Sequence, residues 1–172
     1  MEQTIRPRPS SVWTILVGAV LAAASSAVFV LVDELQMAGA AAAVAVLGVV
    51  VAGWSARESG EPRVGFAASM LERIVDAAIL GAVAWSLLPE RAGAAALVAL
   101  AGSYVAAYLE VKASGLGFEA GAWGLAWPLA MVVLAAGLVA GEAELGLWGA
   151  AAISIAAALA RSVQVARQRE PS

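Results

Sequence analysis

Glu72, Arg73 and Asp76 are the residues whose types and spacing could do chemistry. Glu72 and Asp76 stand at i and i+4, so on a helix their carboxylates share a face. Such a pair could share one weakly held cation, and Arg73 beside them could instead form an ion pair with either. Upstream, Arg57 and Arg63 bracket a polar stretch containing Gly60 and Pro62; downstream, Lys112 stands alone among small residues. Arg57 and Lys112 could contact a phosphate. They and Arg63 equally fit the basic residues that membrane proteins keep on their inner side. The chain has no cysteine and no histidine, which removes thiolate ligands, a cysteine nucleophile and the usual imidazole base.

The elements that must position these residues are apolar. Of 172 residues, 62% are hydrophobic and 13% charged, against about 25% charged in a soluble domain; the mean hydropathy is +0.88. The long runs are apolar all round rather than on one stripe, which marks helices with no aqueous face. The expected fold class is therefore an all-α integral membrane protein, one domain over residues 1–172. A run of about 20 apolar residues crosses the hydrocarbon. The expected spans are 12–32, 37–54, 64–88, 93–109, 122–141 and 145–160, with a polar tail at 1–11 and a basic tail at 161–172. Loops are expected over 55–63 and 114–121, where glycine and proline interrupt. Pro128 should start or kink the fifth span, and the charges of the third span should fall in its opening turns, near the interface.

Six spans place both tails and the loops at 55–63 and 110–119 on one side. That side collects Arg6, Arg8, Arg57, Arg63, Arg73, Lys112, Arg161, Arg167 and Arg169, and the other only Arg91. Such a bias predicts a multi-pass protein of the cell membrane with both termini cytoplasmic. The net charge of −3 argues against a nucleic-acid partner. The six tryptophans mostly fall near span ends, as interfacial aromatics do, and Gly53 and Gly65 fit close helix packing.

The run AGWSAR at 52–57, Gly65, and LERIVDAA at 71–78 together resemble the signature of the CDP-alcohol phosphatidyltransferases, D-x2-D-G-x2-A-R-x8-G-x3-D-x3-D. The run SYVAAYLEVKASGLG at 103–117 is similar to the SYxxSYxRARAEGLG stretch of the actinobacterial phosphatidylinositol-phosphate synthase branch. The resemblance implies a six-helix bundle that displaces CMP from a CDP-linked substrate, with Gly53, Ala56, Arg57, Gly65 and Lys112 as substrate-binding candidates. The carboxylates depart from it. The aspartate positions fall on Val49, Ala52, Ala68 (or Ser69, counted from Gly65) and Glu72; the spacer from Arg57 to Gly65 is one residue short. Glu110 and Lys112 replace two arginines, and the uncharged run 126–129 replaces a charged start to the fifth helix.

Activating a hydroxyl against a pyrophosphate takes divalent ions, and magnesium or manganese needs several oxygen ligands. One glutamate cannot hold two ions, so no catalytic residue set is intact, no cofactor is expected, and Glu72 and Asp76 remain weak metal candidates. The reading is a degenerate, non-catalytic relative acting in phospholipid metabolism as partner, scaffold or lipid-binding protein, either as a homodimer or as a heterodimer with an intact relative. The alternatives are an active phosphatidyltransferase with an unusual magnesium or manganese arrangement, and an unrelated transporter-like or structural membrane protein.

Overall fold

The computed structural model describes residues 9–60, 62–88, 90–118 and 124–168. These form six helices: α1 (Pro9–Leu31), α2 (Leu35–Ser59), α3 (Pro62–Ser86), α4 (Arg91–Gly115), α5 (Ala126–Ala140) and α6 (Ala143–Ala166). No strand occurs among the described residues. Alanine and leucine favour helix, and Pro62 occupies a first helical position, where a missing N–H costs nothing. Gly60 ends α2 and Gly141 ends α5 with φ of 64° and 77°, the left-handed conformation that glycine adopts without a Cβ penalty.

Packing follows a closed ring: α1 touches α2, α2 touches α5, then α6, α4, α3 and back to α1, with α2 and α3 also in contact. Ile79, Leu80, Met131, Leu134, Leu138 and Leu147 fill the interior. The outer face is also apolar, with Leu21, Leu47, Phe66, Trp85, Leu145 and Leu159 exposed. Four helices are long and apolar enough to cross a membrane: α1, α2, α4 and α6. The 25-residue α3 matches them in length but carries charge within it; the apolar α5 has only 15 residues.

The helices outrun the expected spans. α2 continues through Arg57, α4 through Lys112 and α6 through Arg161, because a backbone ladder does not stop where side chains turn polar. The loop expected at 55–63 is thus mostly helix, as is the start of the expected tail at 161–172. Helix α5 starts at Ala126, with Pro128 in its first turn; residues 122–123 of the expected fifth span lie outside the described residues. Residues 1–8, 119–123 and 169–172 lie outside the described residues, and with them Arg6, Arg8, Trp123 and Arg169.

The largest correction concerns the charged cluster. Glu72 stands ten residues beyond Pro62 and fourteen before Ser86, about 15 Å along the helix. The cluster sits near the middle of α3, not in its opening turns, because the helix begins well before the charges. Arg73 therefore lies within a helix and not in a connection.

Candidate functional site

Helix α5 has 15 residues against 25 in α2 and 24 in α6. At the end of the ring where α5 begins, the described residues enclose a cavity of about 690 Å³. The lining comes from the C-terminal half of α2, the N-terminal half of α3, the C-terminal halves of α4 and α6, and the first turn of α5. α1 contributes nothing to it. Alternating helix directions put the α2–α3 connection, the α4–α5 connection and the end of α6 at this same end.

Near the midpoint of the ring, a polar network closes the cavity's inner end. Asp76 is fully buried. Its Oδ1 accepts from Trp127 Nε1 at 2.7 Å; its Oδ2 accepts from the Ser103 hydroxyl and pairs with Arg73 Nη1 at 3.0 Å. Arg73 also donates to Ser103 Oγ at 2.6 Å and to Glu72 Oε2 at 3.2 Å. The Tyr104 hydroxyl donates to the Arg73 carbonyl at 3.1 Å, and its ring lies 5.8 Å from the guanidinium carbon. Burying a charge is costly unless partners replace its water, and here every polar atom of Asp76 has one. Trp127 ties the first turn of α5 to α3. It does so from inside the ring, so it is not one of the interfacial aromatics that the sequence led us to expect. Closer to the open end, Arg161 pairs with Glu110 Oε2 at 2.8 Å and donates to the Ala106 carbonyl at 2.7 Å.

Gly53, Ala56, Arg57, Gly65, Ala68, Ser69 and Glu72 all line the cavity. A Cβ built at Gly53 or Gly65 meets nothing within 4 Å; the close helix packing expected of them does not occur, because both face open space. Lys112 is exposed on α4 and is not part of the lining, while Arg161, assigned by sequence to a tail, is. Sequence reasoning also missed Ser103, Glu110, Trp127 and Ser154 as lining residues. The spacing of Ser154, Ala157 and Arg161 on one helix face was a signal for the last of these, but nothing local marks Trp127.

The residues present do not fit a two-metal centre. Val49 and Ala52 are packed in the core at 1% and 0% exposure, Asp76 spends both oxygens on protein donors, and Glu72 is paired with Arg73. Among the described residues no group of three or more acidic side chains is placed to hold a metal ion.

Fold and site together define an all-helical ring, rich in membrane-length helices, with a polar cavity at one end. No family model, curated protein or solved structure matches the chain.

Proposed function

We propose that this is a six-span membrane protein of the CDP-alcohol phosphatidyltransferase type, with both termini cytoplasmic, that holds a phosphate-bearing lipid headgroup in its cavity and does not transfer it. One observation carries this reading: the residues that resemble the family signature, separated along α2 and α3, face one cavity. Gly53 and Gly65 leave room for a headgroup there. Arg57 makes no hydrogen bond or ion pair with any described residue and can meet a phosphate. Lipids are its immediate partners, and a homodimer or a heterodimer with an intact relative is the expected assembly.

Native mass spectrometry of the protein released from phospholipid nanodiscs tests the binding. Retained phospholipid is expected, reduced about tenfold in Arg57→Gln, the order of a lost charge-assisted hydrogen bond, and unchanged in Arg167→Gln. Equal retention in Arg57→Gln would contradict the proposal. Topology is tested separately. Single cysteines at Ser10, Ser59 and Ser172 should react with an impermeant thiol reagent only after permeabilisation, and labelling of intact cells would reject cytoplasmic termini.

A second reading, a transporter-like protein, draws support from the mid-helix charges of α3 beside a short helix, since ionisable groups at that depth often mark a transport path. Uptake of phosphate esters into proteoliposomes would favour it.

A further inference from the structure

The two ion pairs in the cavity wall share an orientation. In Arg73–Glu72 the guanidinium side chain is 18% exposed and the carboxylate side chain 34%. In Arg161–Glu110 the values are 11% and 50%. Each arginine is the more buried member of its pair and is satisfied by protein oxygens, and each glutamate is the more exposed one. A ligand inside therefore meets, in each pair, a carboxylate more accessible than its arginine, although three of the five charged lining residues are arginines. Glu72 of α3 and Glu110 of α4 line the same cavity, on helices that pack together. Asp76 adds a third negative charge behind Arg73, so the inner part of the cavity holds two carboxylates against one arginine. Arg57, which pairs with no described residue, lies toward the open end, in the last turn of α2.

What kind of cation this wall suits follows from its donors and acceptors. A divalent metal needs about six oxygen ligands in a fixed geometry, and two carboxylates on separate helices do not supply them. An ammonium group has three directed donors on a compact charge and needs only a few acceptors, of which the lining offers Glu72 and the Ser69 hydroxyl from α3 and Glu110 from α4. Arg57 supplies the complementary charge for a phosphate.

We infer that the cavity selects a zwitterionic ligand, a phosphate ester bearing an ammonium group, with the ammonium against Glu72 and Glu110 and the phosphate toward Arg57. This rests on the headgroup-binding reading above and names the headgroup class. The same chemistry is present in an aminophospholipid and in a free amino-alcohol phosphate.

The full-length protein in nanodiscs of a neutral, amine-free lipid separates these possibilities. Thermal stabilisation is measured with phosphoethanolamine, glycerol 3-phosphate and ethanolamine, and in a second arm with nanodiscs doped with phosphatidylethanolamine or phosphatidylglycerol. The expected result is at least tenfold tighter apparent binding of phosphoethanolamine than of glycerol 3-phosphate. Stabilisation confined to the doped arm, with phosphatidylethanolamine above phosphatidylglycerol, supports the same class and identifies the lipid as its source. Glu110→Gln, at a half-exposed position where folding is little affected, should abolish the preference while leaving glycerol 3-phosphate bound. Equal or tighter binding of glycerol 3-phosphate, or a preference intact in both Glu110→Gln and Glu72→Gln, would overturn the inference and leave headgroup binding standing. No stabilisation by any phosphate compound in either arm would overturn both.

Discussion

The two ends of the helix ring use the same residue type for opposite purposes. At the closed end, Gly39 of α2 lies against α5: an added Cβ would come within 2.7 Å of the Ala135 carbonyl oxygen and 2.8 Å of Leu138 Cβ. Gly137 and Gly146 bring α5 and α6 together so closely that a Cβ on Gly137 would lie 2.6 Å from Gly146 Cα. At the open end, Gly53 and Gly65 touch nothing. Small residues let helices approach where they are matched by a partner; where the partner helix stops short, they leave a hole. Between the two ends, the Asp76–Trp127 hydrogen bond ties the first turn of α5 to α3.

That contrast can be broken at its hinge. Asp76→Ala should have the largest effect, a loss of about 3–5 kcal/mol of stability, the range for removing one partner of a buried ion pair. It removes the buried carboxylate that pairs with Arg73 and leaves the Trp127 N–H without its acceptor. Reversible unfolding in mixed micelles measures this, and a loss below about 1 kcal/mol, the scale of an exposed ion pair, would mean that the network does not hold α5.

Next come the closed-end glycines. Gly39→Ala and Gly137→Ala should each cost about 1–3 kcal/mol, as overpacking does, because the clash is with backbone that cannot rotate away. The smallest effect belongs to the open end: Gly53→Ala and Gly65→Ala should be neutral or stabilise by up to about 1 kcal/mol, the helix-propensity gain over glycine. Gly53→Leu should also fold, yet lose retained lipid by filling the cavity. Equal costs at the two ends would erase the distinction.

The sequence made the helices legible and the site only partly so. Apolar runs located all six helices, since hydropathy reports which segments avoid water. It could not report where helices end, so Arg161 was read as tail when it is a wall residue two turns along the same helix face from Ser154. The motif-like spacing brought Gly53, Ala56, Arg57, Gly65 and Glu72 to one cavity, because those residues lie on two helices joined by a tight turn. Asp76's partners, Ser103 and Trp127, were not legible. They reach it from 27 and 51 residues away, and no local pattern encodes such a contact. Lys112 misled for a related reason: one helix position decides whether a side chain faces the cavity or the outside.

The central claim is that the cavity binds without transferring. Its most direct test is CMP release by the purified protein supplied with CDP-diacylglycerol, a panel of alcohols, and Mg²⁺ or Mn²⁺. Loss of one well-placed electrostatic group commonly costs about 10²–10³ in rate, and apolar or hydroxyl side chains stand at three of the four expected carboxylate positions. The account therefore predicts no CMP above a protein-free control, with or without metal. Metal-dependent CMP release that disappears in Glu72→Gln would contradict it and make the protein an active phosphatidyltransferase.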